Sequence, residues 1–137
     1  MKLTFFLPGM LPAKQTCQHL AYEKGKLRLL PKEAWQKYRD EAIPFLKEQV
    51  NKLPPEIQMW LPIDWAIDCK ALFYREHLGG VAAIHYQALA ELMRAANLIA
   101  HEKWIQSWDG SRLLLDRQHP RIEFVMTRLT KETKRAS

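Results

Sequence analysis

One amphipathic stretch, Ala83 to Glu102, constrains the fold more than any other part of the sequence. Its apolar residues recur three to four positions apart, as at Ile84, Ala88 and Leu92, which is the spacing of a helix that buries one face. Asn97 stands where a left-handed residue would end such a helix. The stretch therefore predicts a helix that packs on another layer of the protein and ends in a short turn carrying Glu102.

Strand-like runs flank this helix and an earlier one that begins after Pro31. Pro44 inside the earlier helix predicts a kink or a division into two helices. The mixed order of elements favours an α+β fold, in which a single mixed β-sheet carries two main helices packed on it. The length suits one domain, 1–137, whose last residues, 130–137, are expected to form a frayed basic tail. The expected strands are Leu3–Leu7, Lys26–Leu30, residues 60–75 (bent around Lys70 or straight), WIQSW, SRLLLD and Pro120–Leu129.

The dipeptide Asp109-Gly110 separates the apolar runs WIQSW and SRLLLD. Asp-Gly between two such runs is typical of a hairpin turn, so these strands are expected to pair with each other. Trp104 and Trp108 alternate in the first run, and two roles are open for them. They either pack in the core or a dimer interface, or stack on exposed bases of a nucleic acid.

The chain carries 21 Lys and Arg against 15 Asp and Glu, a net charge of +6. Such an excess is compatible with a nucleic acid or an anionic surface as partner. No membrane partner is expected, because no apolar run approaches the ~20 residues that cross a bilayer. Cys17 and Cys69 match no zinc or redox spacing, which favours reduced cysteines and a cytoplasmic location.

Several catalytic signatures are missing from the sequence. It contains no glycine-rich phosphate loop, no Walker lysine motif and no G-x-S-x-G elbow. Its five histidines do not fall at zinc-finger spacing, so they would hold a metal only if the fold brought some of them together.

A series of weak motifs in a fixed order carries more information than any one of them. A first strand runs into the Pro-rich segment FLPGMLPAKQ, and a basic strand and the triplet Tyr38-Arg39-Asp40 follow. The second helix contains Glu91-Leu92-Met93 and ends at Ala96-Asn97, and His101-Glu102 come next. In this order and spacing the chain resembles the RusA-like Holliday junction resolvases, which are small endodeoxyribonucleases.

This resemblance implies a homodimer that presents basic surfaces to branched DNA and cleaves it with Mg²⁺. The family's two aspartates, Asn and Lys at the start of the second helix correspond here to Val81, Ala83, Ile84 and Gln87. Of the family's acids only the last one is kept, as Glu102. Because Mg²⁺ needs several carboxylates, a chain with so few should have weak or lost nuclease activity.

Two other functions stay open at this point. Glu91, His101, Glu102 and Asp109 would supply a rearranged site, with Glu102 and Asp109 as metal ligands and Glu91 and His101 as weaker catalytic candidates. The chain would then be an active Mg²⁺-dependent endodeoxyribonuclease. Alternatively, it is a non-enzymatic dimeric protein-interaction module that has kept only the fold.

Basic residues that would contact DNA phosphates are spread over several segments. Contacts of this kind give affinity that depends on salt and not on base sequence. The densest group lies between Lys24 and Arg39, in the basic strand and the following helix. The candidates are Lys14, Lys24, Lys26, Arg28, Lys32, Arg39, Arg112, Arg117 and Arg121.

Overall fold

Seven strands, three helices and a short 3-10 turn appear in the computed structural model, which describes residues 1–10, 20–23, 26–29, 32–76 and 82–129. For residues 20–23, 26–29, 32–33 and 82–84 it describes the backbone alone. The predicted tail, 130–137, lies outside the described residues. The elements are β1 Lys2–Pro8, β2 Leu20–Glu23, β3 Lys26–Leu29, α1 Lys32–Asn51, α2 Pro55–Gln58, β4 Ile67–Arg75, α3 Ala82–Ala95, the 3-10 turn Glu102–Trp104, β5 Ile105–Ser107, β6 Arg112–Leu115 and β7 Arg121–Arg128.

The main sheet has five strands and is mixed. Strand β7 pairs antiparallel with β1 on one side and with β4 on the other. Both β5 and β6 lie on the far side of β4 and run parallel to it. Strands β2 and β3 form a separate two-stranded sheet. With three helices packed on the five-stranded sheet, the structure confirms the α+β class predicted from the sequence.

One face of the main sheet forms the hydrophobic core with the helices. Alternate residues of β1, β4 and β7 are buried on this face, including Phe5, Phe73 and Phe124. The α1 residue Leu46 and the α3 residue Leu92 are fully buried in the same cluster. This two-layer arrangement follows from the period-2 pattern of the strands and the three-to-four pattern of the helices. No helix in the described part of the chain is long and apolar enough to cross a membrane.

Two local predictions from the sequence need correction. The helix α1 continues through Pro44 as one element, so of the two outcomes predicted there the division into two helices is wrong. The strand expected over residues 60–75 begins only at Ile67, after a cis peptide bond between Leu61 and Pro62. From there the strand alternates without a bend, because Cys69, Ala71 and Phe73 follow Ile67 onto the buried face.

The predicted hairpin at Asp109-Gly110 is wrong. Strands β5 and β6 both pair in parallel with the same edge of β4 and do not pair with each other. The residues between β5 and β6 are not paired with β4. The side chain of Ser111 spans the gap. Its hydroxyl accepts a hydrogen bond from the N–H of Ala71 (2.8 Å) and donates one to the carbonyl of Cys69 (3.2 Å). The serine thereby satisfies two partly buried backbone groups of β4.

Replacing Ser111 with alanine should therefore lower the free energy of unfolding by about 1–3 kcal/mol, because both backbone groups lose their partner. Urea unfolding of the wild type and the variant measures this. Ser107→Ala is the matched control, since the Ser107 hydroxyl accepts only an exposed hydrogen bond, from the N–H of Asp109. It should change stability by no more than about 0.5 kcal/mol. Equal losses in the two variants would contradict the role assigned to Ser111.

Candidate functional site

A groove of about 710 Å³ runs along the outer side of α3, between this helix, α1 and the turn that follows α3. It brings together three residues that the sequence singled out: Arg39 from α1, Glu91 from α3 and Glu102 from the turn. Gln87, which corresponds to the lysine of the resembled family, lies in the same groove. The residues that line the groove are Arg39, Gln87, Ala90, Glu91, Arg94, Ala95 and Glu102.

The end of α3 fixes the position of Glu102. Asn97 adopts a left-handed conformation (φ 66°), as predicted, and turns the chain away from the helix axis. The following segment then pairs with Ile63, whose N–H donates to the carbonyl of Leu98 and whose carbonyl accepts from the N–H of Ala100 (2.9 Å each). His101 caps the 3-10 turn by accepting a hydrogen bond from the N–H of Lys103 at 3.0 Å. Glu102 therefore projects from a well-anchored turn.

The carboxylate of Glu102 is paired with a guanidinium group. The Nη1 atom of Arg94 lies 3.0 Å from Oε2 of Glu102, and Nδ1 of His101 lies 3.8 Å from the same oxygen. Both side chains of the Arg94–Glu102 pair are partly exposed, so the pair adds at most about 1 kcal/mol to stability. The main effect of this ion pair is local. It places the positive charge of Arg94 next to Glu102, the one acid that matches the resembled family.

These residues do not fit a Mg²⁺ site. A hard divalent cation requires several carboxylate oxygens, whereas this groove holds two carboxylates beside two guanidinium groups. Asp109, the second metal ligand expected from the sequence, is exposed in the β5–β6 connection and is not among the residues lining the groove. Within the described ranges, no group of three or more His, Cys, Asp or Glu residues is placed to hold a metal ion.

The remaining candidates for DNA contact are distributed over the molecule. Arg112 is exposed on β6, and Arg117 is exposed in the loop before β7. Lys14 and Lys24 lie outside the described residues, as does Val81. Only the backbone is described for Lys26, Arg28, Lys32 and Ala83.

The two tryptophans considered as base-stacking residues have intramolecular partners. Trp108 stacks on Tyr86 of α3, with ring centroids 4.7 Å apart and an angle of 9° between the planes. The ammonium group of Lys103 lies 5.1 Å from the ring centroid of Trp104. The Trp108 contact favours the core role over base stacking, because that ring lies flat against another ring.

Sequence reasoning missed Arg94 and a buried polar pair. Nη1 of Arg75 at the end of β4 lies 3.3 Å from Nδ1 of His85 in α3, and both residues are buried. The signal for Arg94 was present, because it lies in the last turn of the predicted helix, next to a turn that bears an acid. The Arg75–His85 pair carried no sequence signal, because the two residues meet only through tertiary packing.

The environment of His85 predicts a pH dependence of stability. Burial and the charge of Arg75 lower the pKa of this imidazole from 6.5 to about 4. Between pH 6.5 and pH 4, His85 is protonated in the unfolded chain but neutral in the folded protein. The free energy of unfolding is therefore highest above pH 6.5 and decreases as the pH falls towards 4. The loss from this residue should reach roughly 3 kcal/mol at pH 4, because each unit of pKa shift corresponds to about 1.4 kcal/mol.

Urea unfolding between pH 7.5 and 4 tests this expectation. His85→Asn should reduce the loss of stability at low pH, because asparagine does not titrate in this range. His119→Asn is the control, since His119 is exposed and its replacement should leave the pH profile of the wild type. An unchanged profile in the His85 variant would refute the assignment.

No model of a known protein family matches the sequence. No curated protein is similar enough to it to count as a relative. The resemblance to the RusA-like resolvases therefore rests on the order of motifs in the chain and stays a prediction.

Proposed function

We propose that this protein is a RusA-like DNA-binding protein that binds branched or duplex DNA and has lost most or all of its nuclease activity. The observation that carries the proposal is the pairing of Arg94 with Glu102 inside a groove that also contains Arg39. In the family that the chain resembles, a cluster of acids around Mg²⁺ would be expected in this groove. The chain instead presents guanidinium groups, which bind phosphate by charge-assisted hydrogen bonds and do not activate water as a metal ion does.

The chemistry of the groove supports binding without cleavage. Arg94 is held in place by Glu102, and about half of its side chain is exposed to solvent. Arg39 lies on the neighbouring helix and lines the same groove. Two guanidinium groups on different helices can contact neighbouring phosphates of one strand. The net charge of +6 adds a general attraction for DNA.

The same proposal includes a homodimer, a cytoplasmic location and a role in recombination or repair. These parts derive from the family resemblance and from the expectation that the cysteines are reduced. A two-fold symmetric dimer would present two grooves to a junction that is itself close to two-fold symmetric.

Fluorescence anisotropy with a labelled four-way junction and a matched duplex, over a range of salt concentrations, tests the proposal. We expect binding that weakens steeply with salt, because phosphate contacts release condensed counterions. Tighter binding to the junction would support branched DNA as the ligand. Absence of binding to both DNAs at moderate salt would refute the proposal and leave the protein-interaction module.

A second candidate function has one observation in its favour. Glu91 and Glu102 line the same groove, so its lining includes two of the carboxylates expected in a rearranged site. The protein would then be an endodeoxyribonuclease with a rearranged site. A cleavage assay with a divalent metal separates the two functions.

A further inference from the structure

The main sheet has a second face, opposite the helices, which we call the open face. It consists of the side chains that alternate with the buried ones on β1, β4, β6 and β7. Strand β4 illustrates the difference, because each of its core-facing residues is buried whereas all those between them are partly or fully exposed. The residues of the open face are Lys2, Thr4, Phe6, Pro8, Asp68, Lys70, Leu72, Tyr74, Arg112, Leu114, Arg121, Glu123, Val125 and Thr127.

The middle of the open face is apolar and partly exposed. Leu72 and Tyr74 on β4 lie beside Leu114 of β6 and Val125 of β7, and all four side chains are only half-buried. Phe6 on the edge strand β1 adds an aromatic ring that is 38 % exposed and that contacts Phe45 of α1, with ring centroids 6.0 Å apart. In the described part of the chain, this apolar strip therefore keeps partial contact with solvent, which makes it a candidate binding surface.

Cations surround this strip. Four basic side chains, Lys2, Lys70, Arg112 and Arg121, share the open face with two carboxylates, those of Asp68 and Glu123. Asp116 pairs with Arg121 at the edge of this face and reduces the net charge to about +1, so the attraction for an anionic partner rests on the exposed cations Lys2, Lys70 and Arg112. Lys70 on β4 and Arg112 on β6 are both exposed.

One pair on the open face combines aromatic and cationic character. The guanidinium carbon of Arg121 lies 3.8 Å from the centroid of the Tyr74 ring, so the two planar groups are stacked. Asp116 holds this arginine in place by an ion pair of 2.9 Å. Each group covers one face of the other, so a base would stack on the remaining face of the tyrosine ring or of the guanidinium plane.

We propose that the open face is a second nucleic-acid site and binds single-stranded DNA or RNA. The proposal extends the DNA-binding function above but uses the opposite side of the domain from the groove. A duplex offers mainly phosphates to a flat surface, whereas a single strand offers phosphates and base faces together. The open face matches the second pattern, because its cations surround an apolar and aromatic centre. At a branched DNA, unpaired nucleotides would supply such a strand.

The test uses a labelled oligothymidylate of about 16 nucleotides, with an oligouridylate of the same length to compare DNA with RNA. The variant Lys70→Gln with Arg112→Gln removes two exposed cations from the open face. We expect it to weaken binding about tenfold and to flatten the salt dependence of log K by about 1.4, since each phosphate contact on a single strand contributes about 0.7. Lys47→Gln with Lys52→Gln is the matched control, since it removes two exposed cations from the end of α1 and the turn after it, and it should stay within about twofold of the wild type.

The groove variant Arg39→Gln with Arg94→Gln separates the two proposals. It should weaken binding to the junction and leave binding to the oligothymidylate unchanged. A wild-type protein that binds the junction but not the oligonucleotides would overturn the open-face site alone. Oligonucleotide binding that disappears with the groove variant and survives in the Lys70, Arg112 variant would also overturn it. Oligonucleotide binding without any affinity for junction or duplex would support the open face and refute the groove.

Discussion

Replacing Phe124 with alanine should lower the free energy of unfolding by about 3–5 kcal/mol. Phe124 lies in the central part of the sheet and is fully buried. Its ring stacks on that of Phe5, its partner in the β1–β7 register, with centroids 5.5 Å apart. Alanine removes the apolar area that phenylalanine buries and leaves a cavity between the sheet and the helices. The thermal midpoint should fall by roughly 10 °C.

Phe6→Ala is the control for this experiment. Phe6 follows Phe5 directly but points to the other face of the sheet, where 38 % of it is exposed. Its loss should cost less than half as much. Equal losses in the two variants, measured by urea unfolding, would contradict the assignment of the core to the face that carries Phe5 and Phe124.

Removing the two arginines of the groove should weaken binding to a four-way junction about tenfold or more at low salt. In Arg39→Gln with Arg94→Gln, two guanidinium groups that line the groove lose their charge. If each contacts one phosphate, the slope of log K against log salt should become flatter by about 1.8, because each contact on duplex DNA contributes about 0.9. Stability should change little, because the Arg94–Glu102 pair is partly exposed.

The variant Lys47→Gln with Lys52→Gln again serves as the matched control, because it removes the same net charge from exposed positions at the end of α1 and just after it. It should keep most of the affinity for the junction. If both double variants weaken binding equally, only the net charge of the protein matters, and the groove is not the DNA site.

The fold class could be predicted from the sequence because its signals are local. The alternation of buried and exposed residues in β1 and β7 depends on neighbouring positions alone, and the end of α3 depends on Asn97. The hairpin prediction failed for the opposite reason. The pair Asp109-Gly110 indicates a turn, but it does not reveal that β4 offers an edge on which both flanking strands pair in parallel.

The candidate site could be predicted only in part. Helical spacing and the turn after Asn97 place Glu91 and Glu102 on one side of α3, and the structure brings both into one groove. The pairing of Glu102 with Arg94 was not predictable from spacing, because the chain folds back between the two residues. Asp109 was assigned to the same site from its residue type alone, and the structure places it in the β5–β6 connection, away from the residues that line the groove.

Our proposal requires that the groove binds DNA without cleaving it. The most direct measurement is incubation of the protein with a labelled four-way junction in Mg²⁺ or Mn²⁺, at concentrations at which the junction is fully bound. We expect the wild-type protein and the Glu102→Ala variant both to bind the junction and to leave it intact. Cleavage at defined positions that Glu102→Ala abolishes would contradict the proposal.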